Sequence, residues 1–202
     1  MQTFQHDPGG KVRIRLDDRT VGSALFSPCG VFRTRLERVF GTPEGRMVLF
    51  VGMNPSTADA EVNDSTVNRE SGYARRWGFD RLVKVNWASR RATFPKDLLG
   101  AGVQISCDQN LRVIAEECRQ AELVVLAHGV PHKQLLPVFL EALETVAVAT
   151  AQHPEKVVAL ALSAEGFPRH SLYLRRDAEP RPFDLAGFIA RLRIARRPKV
   201  IA

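Results

Sequence analysis

A continuous apolar segment that stops at an Asn-Pro turn constrains the fold of this chain more than any other feature. Residues 47–53 are apolar apart from one glycine, and Asn54-Pro55 follows them directly, with small polar residues after the turn. An apolar run of this length, ended by turn residues, is typical of a strand that is buried on both faces, as in a parallel sheet. In open α/β sheets, ligands bind beside the loops that leave the carboxyl ends of such strands. The polar side chains after this strand are therefore candidates for a binding site.

Three further apolar segments, alternating with helical patterns, extend this strand into a sheet. Strands are expected at residues 82–87, 122–127 and 156–162, and helices at 64–77, 107–118, 133–149 and 184–193. In the second of these helices, Cys107, Leu111, Ile114 and Cys118 recur at the spacing of one helical face. Because strands that alternate with helices pair in parallel beneath them, we predict a three-layer α/β/α sandwich with a central, mainly parallel four-stranded sheet.

The chain length suits one domain. The 202 residues are expected to form a single unit over 1–202, with a β-rich lead-in at 1–45 and an α/β core at 46–195. The lead-in includes residues 12–16, which alternate in polarity as a strand does. We expect no membrane span and no secretion signal, and the cysteine usage favours a reducing cytoplasm. A monomer is expected. Three widely spaced cysteines favour neither a disulfide framework nor an iron–sulfur cluster, and no metal or cofactor is expected.

The distribution of charge favours a polyanionic partner. The net charge is +7, yet residues 47–68 carry no basic and three acidic residues, whereas residues 69–97 carry eight basic and three acidic ones. Positive charge around, but not within, the Asn-Pro segment is what a nucleic-acid footprint on one face would produce. The alternative is a generally basic surface that serves solubility. We expect DNA as the partner.

Polar residues follow each of the four predicted strands. They are Asn54, Ser56, Thr57, Asp59 and Asp64 after the first, Asn86, Arg90 and Arg91 at the second, His128 at the third, and Arg169, His170 and Ser171 after the fourth. Each has a structural alternative: Asp64 could be a helix N-cap, Asn86 could satisfy a turn, and His128 could be a packed strand-end residue. The carboxyl ends of parallel strands meet at one edge, so these side chains are predicted to share a site.

Several short runs of this sequence follow one ordered pattern. They are Val51–Asp59, Asn63–Thr66, Ala74–Gly78, Val85-Asn86 with Arg91–Thr93, and Gly166–Leu174. In this pattern the chain, over roughly residues 20 to 175, resembles the bacterial and phage family known as domain of unknown function 1643. It departs from that family at His128-Gly129, where Trp-Gly is expected, and at Ser171, where Pro is expected.

That family pattern is in turn similar to the uracil-DNA glycosylase superfamily. The mismatch-specific branch has Gly-Ile-Asn-Pro where Gly52-Met53-Asn54-Pro55 stands, and the superfamily's His-Pro-Ser loop is similar to Arg169-His170-Ser171. The resemblance implies an α/β/α sandwich with a four-stranded parallel sheet, like that of uracil-DNA glycosylase. It also implies a DNA glycosylase that extrudes a damaged or modified pyrimidine and hydrolyses its N-glycosidic bond, leaving an abasic site.

The resemblance and the chemistry of the reaction together assign roles to these residues. Asn54 would position the attacking water, Asp64 or Asp59 would assist it, and His170 would stabilise the departing base. The predicted base-binding residues are Met53, Ser56, Asn86, His128 and Phe79, although a core position is favoured over a base contact for the ring of Phe79. The predicted contacts to the DNA backbone are Thr57, Arg90, Arg91, Arg169 and Ser171.

The small side chain at Ser56 bears on the substrate. Uracil-specific members of the superfamily carry a bulky Tyr here, which crowds the 5-position of the base, so Ser56 predicts tolerance of 5-substituted pyrimidines such as the modified cytosines of phage DNA. The protein would then act in antiviral defence. Two alternatives stay open: a hydrolase or transferase acting on small nucleotides or nucleosides, and a non-catalytic DNA-binding module.

Overall fold

The structure, a computed structural model, describes residues 13–100 and 102–195. Its helices are α1 (Ser65–Arg76), α2 (Asn110–Gln120), α3 (Leu136–Ala149) and α4 (Leu185–Ala195). Each corresponds to one of the predicted helices, with small differences at the ends. Cys107 precedes α2, and the predicted start of the third helix is a separate 3₁₀ turn at Lys133–Leu135. None of the helices within the two described ranges is long and apolar enough to cross a bilayer.

The strands of this chain form two sheets. They are β1 (Ile14–Arg15), β2 (Val21–Phe26), β3 (Arg33–Val39), β4 (Met47–Gly52), β5 (Val62–Asn63), β6 (Arg81–Asn86), β7 (Leu123–Leu126), β8 (Val157–Ala159) and β9 (Arg181–Pro182). The main sheet has seven strands in the order β2-β3-β6-β4-β7-β8-β9, and β1 pairs separately with β5. Of the strand predicted at 12–16 only Ile14–Arg15 forms, and Val12 lies outside the described residues.

The prediction of a mainly parallel, four-stranded sheet was wrong. The four predicted strands are neighbours and run parallel as β6-β4-β7-β8, but β2 and β3 add antiparallel strands at one side and β9 adds one at the other. The result is a seven-stranded mixed sheet in a mixed α/β fold. Neither addition gives a strong local signal, because β3 carries charged residues at buried positions and β9 has only two residues.

Alternate residues of the central strands pack into two cores on opposite faces of the sheet. Met47, Leu49 and Val51 face the core that contains α2, α3 and α4. Val48 and Phe50 face a smaller core with α1. The alternation follows from the period of two along a strand. It also determines the face on which each strand-end side chain emerges, and therefore which residues can form a site together.

Candidate functional site

The carboxyl ends of β4 and β6 lie side by side and hold the Asn-Pro turn in place. Gly52 is the register partner of Asn86. Beyond the strands, the Trp87 amide donates to the Gly52 carbonyl at 3.1 Å, and the Ala88 amide donates to the Met53 carbonyl at 3.0 Å. These bonds extend the pairing past the sheet, so the backbone of the turn is fixed relative to the residues after β6.

Gly52 allows two polar side chains to approach the end of β4. A Cβ atom at this position would lie 2.6 Å from Asn86 Oδ1 and 2.9 Å from Lys84 Nζ. Contacts that short do not occur for real Cβ atoms, so the absence of a side chain at Gly52 is what lets the amide and the ammonium pack here. Asn86 and Lys84 are two residues apart on β6, and both face α1.

A buried ion pair links this strand end to α1 and to the loop after β8. Lys84 Nζ lies 2.8 Å from Oε1 and 2.7 Å from Oε2 of Glu70, and the Ser171 hydroxyl donates to Oε1 at 2.7 Å. Glu70 and Ser171 are fully buried. Burial raises the pKa of Glu70, while the Lys84 ammonium and the Ser171 hydroxyl counteract that rise. The Asn-Pro turn and the Arg169–Ser171 loop therefore lie at the same edge of the sheet.

Asn86 is buried with both ends of its amide unpaired. The residue is 1% exposed, and neither Nδ2 nor Oδ1 has a hydrogen-bond partner among the described residues. Its backbone carbonyl, in contrast, accepts a bond from Asn110 Nδ2 at 3.0 Å. Native proteins pair almost all buried polar groups, because an unpaired one costs about 1–3 kcal/mol. The donor and the acceptor of this amide are therefore both unsatisfied within the described part of the protein.

Two hydrogen bonds from its amide nitrogen hold the Asn54 side chain in one orientation. Nδ2 donates to the Ala92 carbonyl at 2.8 Å and to the Pro55 carbonyl at 3.1 Å. Carbonyl oxygens accept only, so the amide cannot be flipped in this position. Within the described ranges no protein donor reaches Oδ1, and this oxygen can therefore orient a water molecule.

His128 is a neutral, buried histidine on the other face of the sheet. Its ring packs edge-on against Phe139 of the larger core, and Nδ1 lies 2.7 Å from the Gly129 carbonyl oxygen. Because a carbonyl only accepts, Nδ1 carries the proton and the buried, unpaired Nε2 is an acceptor. Burial lowers the pKa of His128 to about 4. His128 is therefore packed at the end of its strand, which is the structural alternative that the sequence offered to a base contact.

His170 begins the 3₁₀ turn Ser171–Tyr173 directly above Gly129. Its Nδ1 accepts from the Leu172 amide at 3.3 Å, which leaves the proton of the neutral ring on Nε2. The side chain is half-buried, and the Gly129 amide donates to the Pro168 carbonyl at 2.9 Å. The loops after β7 and β8 are thereby joined, and His170 lies beside Ser171 at the edge described above.

Asp64 is the N-cap of α1, the structural alternative that its sequence context allowed. Oδ1 accepts from the Val67 amide at 2.8 Å, and the residue is 8% exposed. Its charge acts on Arg33, whose pKa burial lowers to about 10 while Asp64 opposes that change. Asp59 instead forms an ion pair with Arg13 at 3.0 Å. Asp64 is therefore a carboxylate close to the site, whereas Asp59 belongs to the surface.

The structure does not bring every predicted residue to this edge. Phe79 lies before the start of β6, a strand that itself spans about 16 Å from Arg81 to Asn86. Its ring is in the smaller core beneath Arg46. Ser171 and Thr57 are buried, and the Ser171 hydroxyl donates to Glu70. Neither residue can therefore make the contact to a DNA backbone that the sequence had suggested. The predicted backbone-contact arginines differ in exposure: Arg169 is exposed, whereas Arg90 and Arg91 are half-buried.

Arg90 and Arg91 also make contacts within the protein. Their guanidinium groups donate to the carbonyls of Gln104 and Gly30 at 3.5 and 3.4 Å. The half-buried Met53 packs against the larger core, and Ser56 is half-buried. No group of three His, Cys, Asp or Glu side chains in the described part of the chain could hold a metal ion.

The family model for proteins of unknown function designated DUF1643 matches residues 33–172, more than half of the chain. The chain belongs to the DUF1643 family. The DUF1643 region begins at Arg33 in β3 and ends just after Ser171. It therefore includes the buried residues described above, which are Glu70, Lys84, Asn86 and Ser171. No curated protein and no solved structure matches this DUF1643 protein.

Reasoning from the sequence missed three buried charged residues at or near this edge of the sheet: Glu70, Lys84 and Arg33. A signal was present for Lys84, because it is the one charged residue between Leu82 and Asn86 in a run otherwise typical of a buried strand. Glu70 and Arg33 give no such local signal, since each lies in an element with several other charged residues.

Proposed function

We propose that this protein is a DNA glycosylase that hydrolyses the N-glycosidic bond of an extruded, modified pyrimidine. The observation that carries the proposal is the buried Asn86 amide, whose two polar ends are both unpaired at the carboxyl end of a parallel strand. The resemblance of Gly52–Pro55 and Arg169–Ser171 to uracil-DNA glycosylase motifs adds support.

The Asn86 amide suits the edge of a nucleobase. It offers one donor and one acceptor side by side, and a pyrimidine's Watson–Crick edge presents the complementary pair. A base that leaves the DNA stack must be bound by such contacts inside a pocket. Since the amide is buried and unpaired, binding the base would also remove the free-energy cost of the unpaired groups.

Charges around Asn86 suit the transition state of this bond cleavage. The sugar becomes oxocarbenium-like and the base departs as an anion. Lys84 Nζ lies against Gly52 beside Asn86 and directs two of its three N–H donors at Glu70. The remaining N–H would stabilise the departing base together with a hydrogen-bond donor such as Nε2 of His170. Asp64, largely buried nearby, would stabilise the cationic sugar.

Asn54 would orient the water that completes the reaction. Its Oδ1 accepts a hydrogen bond from the water, whose oxygen then adds to the anomeric carbon as the bond to the base breaks. An amide is not a base, so this assignment requires that the bond to the base breaks largely before water attacks. The added water releases one proton to solvent and the base anion takes one up, so the products are an abasic site and the free base.

The substrate we propose is a 5-substituted pyrimidine, such as the modified cytosine of phage DNA. Ser56, directly after Pro55, has a small side chain that would leave the 5-position of the bound base uncrowded. Antiviral defence is the corresponding biological role.

The test is abasic-site formation on matched oligonucleotides that carry uracil, cytosine, 5-hydroxymethylcytosine or its glucosylated form. We expect strand cleavage after alkali treatment on the bulky cytosines. Asn86→Ala should lower the rate by about 100-fold or more, as the loss of a preorganised polar contact does, while leaving the free energy of unfolding unchanged or higher. Gln120→Ala, which removes an exposed amide at the end of α2, is the matched control and should behave as wild type.

Two outcomes would contradict the proposal. If no oligonucleotide acquires abasic sites, the protein is not a glycosylase for these bases. If Asn86→Ala keeps full activity but lowers stability, the amide has a structural role only. Abasic sites on uracil alone would refute the assignment of a bulky substrate and leave glycosylase activity standing.

A further inference from the structure

An arginine-rich cavity lies on the outer side of α1, away from the helix face that carries Glu70. Its volume is about 710 Å³, and five arginines but only one acidic residue line it. The arginines are Arg15, Arg69, Arg75, Arg76 and Arg176. A concave surface with this excess of positive charge concentrates the field and attracts anions.

Two of these arginines have exposed side chains that form no ion pair in the described part of the chain. Arg15 and Arg176 are exposed, and within residues 13–100 and 102–195 neither side chain has an acidic partner. Arg75 and Arg76 form ion pairs with Asp17 and Glu179, at 2.8 and 2.9 Å. A guanidinium carries five N–H donors, so these pairs leave donors over for a phosphate.

Ser71, whose hydroxyl is buried and unpaired, also lines this cavity. Ser71 is 7% exposed, and its Oγ has no hydrogen-bond partner among the described residues. The hydroxyl lies on α1 directly after Glu70, yet it takes no part in the ion pair with Lys84. Rotation of the Ser71 side chain about χ1 would turn its hydroxyl toward the cavity, where a phosphate oxygen would accept its hydrogen bond.

The cavity adjoins the candidate active site through chain neighbours. Its lining includes Asn63 and Ser65, on either side of Asp64, and Leu172, which follows Ser171. A polymer that enters the site between these loops would therefore continue into the cavity along α1. A free mononucleotide would need only one of the two places.

We propose that this cavity binds the phosphodiester backbone of the nucleic-acid strand on one side of the extruded nucleotide. The inference rests on the proposed function and deepens it, because it assigns a strand path outside the base pocket. The arginines contact phosphates rather than bases, so binding here is independent of sequence.

The test measures binding of a fluorescein-labelled oligothymidylate of about 15 nucleotides by anisotropy, across about 50 to 300 mM salt. The double variant Arg15→Gln/Arg176→Gln should reduce the slope of log K against log salt by about 1.4, because each neutralised phosphate on a single strand contributes about 0.7. Affinity at low salt should fall about tenfold or more. Ser71→Ala should weaken binding by several-fold.

The matched control is Arg112→Gln/Arg119→Gln, which removes the same charge from α2 on the opposite face and should leave the slope unchanged. A slope for Arg15→Gln/Arg176→Gln equal to that of wild type would overturn the proposal. So would a loss of ADP binding in this variant with oligonucleotide binding intact, because the cavity would then take a free nucleotide.

The two proposals fail separately. Wild-type protein that forms no abasic sites, but whose salt slope still depends on Arg15 and Arg176, would refute the glycosylase and retain the strand path. If the protein forms abasic sites but its salt slope is the same in wild type and variant, the strand path is refuted and the glycosylase is retained.

Discussion

The buried His128 makes the stability of this protein depend on pH in a defined direction. Burial lowers its pKa to about 4, whereas a histidine in an unfolded chain titrates near 6.5. As the pH falls below about 6.5, the unfolded state takes up a proton that the native state refuses, so the free energy of unfolding decreases until the pH reaches about 4. The full difference corresponds to about 3 kcal/mol, of which about 2 kcal/mol is lost between pH 8 and pH 5.

Replacing His128 by asparagine isolates this contribution. The new amide can still donate to the Gly129 carbonyl, as Nδ1 does at 2.7 Å, but it does not titrate. Urea unfolding of wild type and His128→Asn at pH 8, 6.5 and 5, followed by tryptophan fluorescence, gives the free energy of unfolding for each. We expect the loss between pH 8 and pH 5 to be about 2 kcal/mol smaller in the variant.

His153→Asn is the control, because His153 is exposed and paired only with Glu155. Its pH dependence should match that of wild type. If His128→Asn also shows the wild-type pH dependence, His128 is not held neutral by burial, and Nε2 could not be the acceptor inferred from the geometry.

Two further predictions concern the adjacent carboxyl ends of β4 and β6. Lys84→Met should lower the free energy of unfolding by about 3–5 kcal/mol, since it removes the counter-ion of the buried Glu70 carboxylate, and Lys84→Met/Glu70→Leu should recover much of that loss. Additive effects in the urea-unfolding cycle would contradict this coupling. Gly52→Ala should destabilise the protein by about 1–3 kcal/mol and reduce any activity that depends on Asn86, since the new Cβ displaces that side chain. Gly72→Ala, where a Cβ meets nothing within 4 Å, should instead raise stability by about 1 kcal/mol; equal thermal shifts for the two glycine variants would contradict the close approach at Gly52.

The sequence determined the elements that have a strong local period. The four central strands, the four helices and the cap at Asp64 all follow from patterns within a dozen residues. Because parallel strands place their carboxyl ends at one edge, the convergence of the Asn54 turn and the His170 loop could also be expected from the order of the elements.

Only the tertiary structure decided what surrounds these loops. Glu70 binds Lys84 across 14 residues and Ser171 across 101, and no local pattern encodes such pairings. The same contacts bury Ser171, which the sequence placed on the surface, and the antiparallel strands β2, β3 and β9 join a sheet whose extent the sequence underestimated. The physical reason is that periodicity specifies which face of an element is apolar, whereas the partner that covers a buried charge is selected by the packing of distant segments.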